Sequence, residues 1–517
     1  MAAEWDAIVI GAGHNGLVCA GYLATAGMRV LVLERSHRVG GASITEELYP
    51  GCHFSTFAYS ALGPGPKICR DLEVPADAFD IVRPNPSMFF PFPDGEHILL
   101  WSDPEKTAQG LQRFGNSEVH GYHAYCEFMS KAKQIAKDMF YEAPLTTDEY
   151  QARYRGSELE PVFDALMTRS HWSLLEDYFQ NDYVRAAFGR ADDVGYPRAV
   201  GSLLAEAIES ANDGAGINGI AGIPRGGMGS ITAALAEAAR RLGVEIQTEM
   251  AVGEIIIEGG QATGVVLQDG SKLTAKLVIS NADPKRTFLK LCPRDQVDAE
   301  FLSQIEQLKT RAGNMKFHAV LSGVPNFTAM PDEHRGQAVA IAGVRISPSL
   351  EYFDRAWEDC LSGIPSREPV MSLQLPTAYF PELAPPGKHI FGAWIRYGPR
   401  TLQEGTWDDW RPRVEESILS ILESYAPGFR ELVEWKRLYT PADIESETGI
   451  TDATIRHLDM TIDQMLHRRP LASWASYATP INSLWLCGSG THPCGSVTGA
   501  PGHNAAHAIL KSETGPL

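Results

Sequence analysis

The chain has 517 residues, of which 44% are hydrophobic and 21% charged. This composition is typical of globular proteins, and the length leaves room for roughly three domains. The formal net charge of −19 argues against binding to nucleic acid or to an acidic membrane surface. We therefore expect a small-molecule ligand that is neutral, apolar or cationic.

We expect this protein neither to span a membrane nor to be secreted. No apolar run approaches the roughly 18 residues of a membrane-spanning helix, which leaves only peripheral membrane contact open. The N-terminus enters the first predicted strand with no room for a charged and an apolar leader region. The 8 cysteines are scattered along the chain, as in proteins of reducing compartments. We expect a cytoplasmic protein, or one of the mitochondrial matrix if the source is a eukaryote.

Residues 5–43 predict a buried strand, a glycine turn, a helix and a second strand. Gly11, Gly13 and Gly16 follow the first strand with the spacing of the dinucleotide fingerprint. We expect Gly11 to make the turn, Gly13 to admit a pyrophosphate, and Gly16 to let the helix pack on the strand. Glu34 ends the second strand, at the interval where a carboxylate meets a ribose hydroxyl.

A second place for close backbone approach follows this unit. Arg35 comes directly after Glu34, and Gly40 and Gly41 then offer bare backbone to a ribose and pyrophosphate. This extension resembles FAD-binding chains of the amine oxidase and phytoene desaturase group more than it resembles NAD dehydrogenases. We therefore predict FAD as the cofactor.

The next part of the chain predicts a substrate lobe. Residues 49–66 are irregular and indicate a loop that covers the cofactor. Residues 88–101 predict a hairpin with a turn at Asp94-Gly95, which we assign to a sheet rather than to a membrane-dipping loop. From residue 103 to 211 helical periodicity dominates, which indicates a helical lobe.

A glycine run at residues 226–229 opens a second nucleotide-like stretch. An Ala-rich helix and a meander of strands follow it up to Ser280, and we place Val252 among the cofactor-binding residues. A second dinucleotide site is the alternative, but no buried strand directly precedes these glycines, as the fingerprint requires. We therefore expect no NAD(P) site, and oxygen or a quinone as the electron acceptor.

The C-terminal part repeats the order of strand, glycine run and helix. Such an arrangement presents free N–H groups to an anion. We assign six residues of this run to the cofactor site, namely Gly488, Ser489, Gly490, Ser496, Val497 and Thr498. The cysteines and histidines here are too widely spaced for a zinc knuckle, and we expect no metal.

The predicted fold class is therefore α/β. It comprises a Rossmann-like FAD-binding domain built from discontinuous segments, residues 1–70, 215–295 and 475–517, and an α+β substrate lobe, residues 71–214 and 296–474.

The whole chain resembles the phytoene desaturase group of flavoproteins, and within it the branch called pyridine nucleotide-disulfide oxidoreductase domain-containing protein 2. The matching stretches are residues 11–41, 224–229, 278–284, 383–389, 463–464, 469–470 and 486–493. The resemblance implies a two-lobed flavoprotein that dehydrogenates, or sometimes isomerises, an apolar substrate.

Two features depart from the family pattern. Where the family has His-Pro-Gly-Gly-Gly, this chain has Cys494 and Ser496 in place of two glycines, so that extra side chains crowd the predicted cofactor loop. This departure also prompts the hypothesis that the flavin is covalently linked to Cys494 or His492. The branch name suggests a redox disulfide, but Cys52 stands without a partner cysteine nearby, and we reject dithiol chemistry.

Three residues are candidates for catalysis. Lys316 lies on a predicted strand in apolar company, where it is either a surface lysine or, by resemblance to amine oxidases, a lysine that holds a water near flavin N5. His492 follows the last glycine run and is expected near the flavin, as a polar group or as a structural contact. His457 is expected on the substrate side.

These features predict an FAD-dependent dehydrogenase that desaturates a lipophilic small molecule, such as an isoprenoid or polyene, by hydride transfer to flavin N5. One alternative is an amine oxidase-like enzyme that acts on a C–N bond. Others are a redox-neutral isomerase and a flavin-bearing assembly protein. The sequence leaves the oligomeric state open.

Overall fold

The computed structural model describes residues 4–58, 63–75, 77–189, 195–211 and 222–513. Its strands are β1 (Trp5–Ile10), β2 (Val30–Leu33), β3 (Thr45–Tyr49), β4 (Cys52–Ser55), β5 (Ile81–Val82), β6 (Met88–Pro91), β7 (His97–Leu100), β8 (Ile223–Pro224), β9 (Glu245–Gln247), β10 (Val252–Glu258), β11 (Gln261–Leu267), β12 (Lys272–Ser280), β13 (Asn314–Leu321), β14 (Gly343–Ile346), β15 (Met371–Gln374), β16 (His389–Arg396), β17 (Val433–Tyr439) and β18 (Leu484–Leu486).

The helices of the described residues connect and cover these strands. They are α1 (His14–Thr25), α2 (Pro66–Asp71), α3 (Pro104–Leu111), α4 (Asn116–Phe140), α5 (Thr147–Tyr154), α6 (Glu160–Thr168), α7 (His171–Tyr178), α8 (Asp182–Phe188), α9 (Ser202–Ala211), α10 (Gly229–Arg241), α11 (Pro284–Arg286), α12 (Ala299–Glu306), α13 (Leu350–Leu361), α14 (Trp407–Tyr425), α15 (Phe429–Leu432), α16 (Pro441–Thr448) and α17 (Ala500–Glu513).

The first sheet joins strands from the beginning, middle and end of the chain. β1 pairs in parallel with β2 and β12, β2 with β9, and β12 with β18. β10 and β11 add an antiparallel meander to β12. The α/β fold class is thereby confirmed, because continuous apolar runs such as residues 30–33 are buried and form the parallel strands that such folds require.

The face of this sheet that carries α1, α10 and α17 has an apolar core shared by all three helices. Close packing of α17 on α1 depends on Gly502. A Cβ atom at Gly502 would lie 2.1 Å from the backbone oxygen of Asn15. The C-terminal helix therefore lies directly against the helix that follows the first glycine turn.

The second sheet has the order β17-β13-β16-β15-β14-β6-β7. One of its faces packs into an apolar core that includes residues of α14. On the opposite face of β13, Asn314, Lys316 and His318 are buried polar residues. The predicted hairpin at residues 88–101 is confirmed as β6 and β7, and its place in this sheet favours the assignment to a sheet over a membrane-dipping loop.

Helices α3 to α9 contribute to one apolar core, as the helical periodicity of residues 103–211 predicts. The prediction for residues 49–66 is wrong in part, because β3 and β4 form an antiparallel hairpin there. Residues 59–62 of that stretch, and the predicted boundary at 214/215, lie outside the described residues. The boundaries of the two predicted units stay a prediction.

The glycine run at residues 226–229 does not form a second dinucleotide site. The short β8 precedes it, but β8 pairs antiparallel with β5 and not within a parallel sheet. Cβ atoms at Gly227 and Gly229 would lie 2.4 Å and 2.7 Å from atoms of Thr45, so these glycines serve close packing on β3. In the part of the chain that the structure describes, no helix is long and apolar enough to cross a bilayer.

We expect Gly502→Ala to lower the free energy of unfolding by about 2 kcal/mol, because the added methyl group forces α17 away from α1. Gly110→Ala is the matched control. Gly110 is a helical glycine with nothing within 4 Å of an added Cβ, so this change should stabilise the protein by up to about 1 kcal/mol. Urea unfolding of both variants measures the difference, and equal effects would contradict the packing argument.

Candidate functional site

A cavity of about 1010 Å³ is lined by residues of both large sheets and of the helical lobe. This volume is at the upper end of the usual range for small-molecule sites, roughly 300–1,000 Å³. Eleven of the predicted site residues line it, namely the catalytic candidate His457 and the predicted cofactor-binding residues Gly11, Gly13, Glu34, Arg35, Gly40, Gly41, Val252, Ser489, Ser496 and Val497. The fold thus brings the two glycine-rich ends of the chain to one cavity.

Bare backbone forms one end of the cavity. A Cβ atom at Gly41 would lie 3.5 Å from the Cα atom of Gly13, and the N–H group of Gly40 donates to the carbonyl oxygen of Ala12 at 2.9 Å. Gly16 does not line the cavity, because it packs the helix on the turn. Its Cβ would lie 2.2 Å from the carbonyl oxygen of Gly11. This arrangement agrees with the roles that the fingerprint predicts for these glycines.

Glu34 fixes the glycine turn to the end of β2. Its carboxylate accepts hydrogen bonds from the backbone N–H groups of Ala12 and Ser36, at 2.8 Å and 2.9 Å. Burial nevertheless raises the pKa of this carboxyl group, since desolvation outweighs the two hydrogen bonds. Glu34 therefore supports the turn as well as lining the cavity where a ribose is expected.

Two guanidinium groups converge beside Glu34. Arg35 donates to the backbone carbonyl of Ser446. Arg286 lies near it, since atoms of Arg35 and Arg286 come within 3.0 Å and 3.2 Å of the position of a Cβ at Gly449. Both arginines line the cavity. No signal in the sequence points to Arg286, because it lies 251 positions after Arg35 and no local motif links the two.

The C-terminal glycine run bends tightly around the cavity. Ser489, Ser496 and Val497 line it, and Ser496 and Val497 adopt φ angles of +73° and +58°. Gly488 and Gly490 do not line the cavity, since they pack against the backbone of Asn281 and the ring of Pro284.

Thr498 does not line the cavity either. Its hydroxyl oxygen accepts from the N–H group of Ala500 at 3.2 Å, where α17 begins. Thr498 thus supports the start of this helix, and its assignment as a cofactor contact stays a prediction.

Two histidines lie near each other in the wall of the cavity. His457 lines it as expected, and His14 at the start of α1 is a lining residue that sequence reasoning missed. Burial lowers the pKa of each ring to about 3, so both are neutral at pH 7. Nδ1 of His457 and Nε2 of His14 have no hydrogen-bond partner among the described residues. They are therefore available to a bound molecule.

His492 does not line the cavity. Its Nε2 atom donates to the carbonyl oxygen of Met139 at 2.8 Å, and Tyr477 donates to its backbone oxygen at 3.0 Å. Burial lowers its pKa to about 4. Between the two roles considered for His492, the geometry favours a structural contact. Cys494 is buried away from the cavity too, which argues against a covalent flavin link to either side chain.

Lys316 is not a surface lysine, because only 1% of it is exposed. It pairs across the sheet with Trp394, and its Nζ atom lies 5.5 Å from the centre of that ring. Trp394 lines the cavity and Lys316 does not. The catalytic assignment of Lys316 stays a prediction, and its contact with Trp394 is the route by which it could affect the site.

Arg469 holds the residues around His457 in place. It is fully buried, and its guanidinium group donates to the carbonyl oxygens of Ser489, Gln464 and Arg456, at 2.9 Å, 3.1 Å and 2.5 Å. One cation thus joins the loop that carries His457 to the C-terminal glycine run. A charged group can be buried in this way because its N–H groups are satisfied.

The wall that the hairpin and the helical lobe contribute is largely apolar, although Lys133, Glu206 and Glu209 also line it. Aromatic and methionine side chains of the hairpin and the helical lobe line it, among them Met88, Phe90, Tyr122, Tyr125, Met129 and Phe188. Polar groups, including Arg345 and Gln374, come from the second sheet. The arrangement can hold an extended dinucleotide at the glycine end and an apolar guest at the other.

Comparison with known proteins agrees with this geometry. The profile of the family described as "Flavin containing amine oxidoreductase" matches residues 16–510. Pyridine nucleotide-disulfide oxidoreductase domain-containing protein 2 of Mus musculus is 32% identical over 98% of this chain and 94% of its own length. A limonene dehydrogenase subunit of Castellaniella defragrans is 25% identical over 98% of this chain and 95% of its own length.

The predicted resemblance is confirmed by these relatives and by a phytoene desaturase of Fusarium fujikuroi, 25% identical over 94% of this chain and 85% of its own. Among solved structures, a variant of putrescine oxidase from a study of cofactor binding has a TM-score of 0.59 at 14% identity. It covers 99% of both chains. This likeness shows the fold.

The buried ring of His492 should make stability depend on pH. Its folded-state pKa of about 4 lies below the ordinary histidine value of 6.5, so the unfolded chain binds more protons in between, and stability falls as the pH drops through this window. Between pH 7 and pH 4, we expect the free energy of unfolding of wild type to fall by about 3 kcal/mol more than that of His492→Gln.

Urea unfolding at a series of pH values measures this difference. His53→Gln, which changes an exposed histidine, is the control and should keep the pH dependence of wild type. Parallel pH curves for wild type and His492→Gln would contradict the proposed burial of a neutral ring.

Proposed function

The chain belongs to the family of flavin-containing amine oxidoreductases, and on this premise we propose that it desaturates a lipophilic small molecule with FAD as its oxidant. The observation that carries the proposal is the cavity, which is lined both by the glycine cradle and by a wall rich in aromatic and methionine side chains. The relative named as a limonene dehydrogenase supports an apolar, hydrocarbon-like substrate.

The residues present fit FAD. The close approach of Gly13 and Gly41 leaves no side chain between the backbone and a pyrophosphate, and α1 begins at this point with its free N–H groups. Glu34 lies where a ribose is expected. When bound, FAD supplies the acceptor for a hydride at its N5 position.

The chain itself contributes binding, orientation and exclusion of water. The wall formed by Phe90, Tyr122, Tyr125 and Phe188 removes an apolar guest from water, a driving force of about 25 cal/mol per Å². The neutral rings of His14 and His457 offer polar atoms to the molecules bound beside them. Oxygen or a quinone is the electron acceptor that we propose.

Oxidation of an amine is the second candidate. It is favoured by the carboxylate group of Glu206, which lines the cavity and adds negative charge where a cationic substrate would bind. The family's description also names amines.

Anaerobic mixing with a panel of compounds separates the two candidates. We expect terpenoid or polyene compounds to bleach the visible absorbance of the bound flavin, because they match the apolar wall. Reoxidation in air then tests oxygen as the acceptor. Bleaching by amines alone, with release of ammonia in air, would overturn the desaturase proposal in favour of the second candidate.

A variant of the apolar wall tests where the substrate binds. We expect Met129→Glu to weaken binding of a compound found in the screen by about tenfold or more, because the carboxylate faces an apolar guest. Met129→Leu conserves the volume and should keep the affinity of wild type. Flavin bleaching as a function of compound concentration gives both affinities, and equal values for the two variants would exclude this wall as the binding site.

A further inference from the structure

Residues 494–497 of the predicted cofactor loop have an unfavourable backbone conformation. Cys494, Ser496 and Val497 have φ angles of +138°, +73° and +58°, in the region that glycine prefers. Each such residue costs about 1–3 kcal/mol, and a β-branched residue such as Val497 is rarely found there. Contacts outside the loop must therefore hold it in this conformation.

Ser496 makes those contacts. Its hydroxyl group donates to the carboxylate of Glu209, with distances of 3.0 Å and 2.9 Å to the two oxygens. Arg456 donates both to the Ser496 hydroxyl oxygen and, at 2.6 Å, to the Glu209 carboxylate. The three side chains form a closed network, and all of them line the cavity.

The network is shielded from water and joins three parts of the chain. The side chains of Arg456 and Glu209 are 8% and 14% exposed. Glu209 belongs to α9 of the helical lobe, Ser496 to the cofactor loop, and Arg456 to the segment whose carbonyl oxygen Arg469 holds. An ion pair in such a place is weakly screened, so removing one partner leaves a charge that acts strongly on its surroundings.

We propose that Ser496, Glu209 and Arg456 are positioning residues. They hold the cofactor loop in its left-handed conformation and set the reduction potential of the bound flavin. Reduction adds negative charge to the flavin, so an uncompensated cation nearby favours the reduced form and an uncompensated anion opposes it. The inference depends on FAD binding at this loop and not on which substrate is oxidised.

Two charge variants give opposite predictions for the FAD-loaded protein. Glu209→Gln leaves Arg456 without this partner and should raise the midpoint potential above that of wild type. Arg456→Gln leaves Glu209 without this partner and should lower the midpoint potential. Arg456→Lys keeps the positive charge, so its potential should lie close to that of wild type. Glu142→Gln is the matched control, since Glu142 pairs with Arg153 in the same lobe away from the cavity, and it should leave the potential unchanged.

Two milder variants test the loop itself. Ser496→Ala removes the hydroxyl group but keeps the unfavourable backbone, and we expect the FAD dissociation constant to rise about tenfold. Ser496→Gly removes the hydroxyl group and also relieves the unfavourable backbone conformation, so it should lose less affinity for FAD than Ser496→Ala does. Equilibration with redox dyes gives the potential, and fluorescence of released flavin gives the affinity.

The expected result is a pair of potential shifts of opposite sign together with weaker FAD binding by Ser496→Ala than by Ser496→Gly. Unchanged potentials, or shifts of the same sign, would overturn the electrostatic role. If the charge variants do not fold, the Ser496 pair decides, and equal affinities of wild type and Ser496→Ala would overturn the proposal. None of these measurements uses a substrate, so they stand apart from the desaturase assignment.

Discussion

The structure depends on the parallel pairing of β12 with β1 on one side and β18 on the other. Each pairing satisfies backbone groups that would otherwise be buried without partners. Because β1 and β18 are followed by glycine turns, this pairing sets the first and last glycine runs at one edge of the sheet. The cavity lies where the carboxyl ends of parallel strands open, which is the usual ligand site of such sheets.

The rest of the fold encloses the cavity at the carboxyl ends of these strands. The second sheet and the helices α3 to α9 supply the other walls of the cavity. Their side chains differ from the bare backbone of the glycine end, since they include many aromatic and methionine groups. A site with a bare-backbone end and an apolar end suits two bound molecules of different chemistry, a cofactor and its guest.

Buried charge is the second organising feature. Arg469 donates to backbone carbonyls, while Arg456 donates to Glu209 and Ser496. In both cases hydrogen bonds offset the cost of removing a cation from water. The same low-dielectric surroundings that make these contacts strong hold His14, His457 and His492 neutral. Rigid placement of neutral and charged groups around one cavity is the common result.

The glycine fingerprint, the hairpin at residues 88–101 and the helical lobe could be read from the sequence, because each is a local pattern with a local cause. Arg286, His14 and the network around Ser496 could not, since their partners lie far away in the chain. For Thr498 and His492 the local motif does not decide where the side chain points. Both follow a cofactor motif closely, yet their side chains turn to a helix end and to Met139.

Through its resemblance to a flavoprotein group the sequence indicated the cofactor class, and by itself it determined the strand-turn-helix units. These depend on backbone conformation and on periodicities that span only a few residues. Tertiary structure alone decided which polar side chains face the cavity and which support it from behind. These orientations are set by the packing of segments that are distant in the chain. Such packing leaves no recognisable pattern in the local sequence.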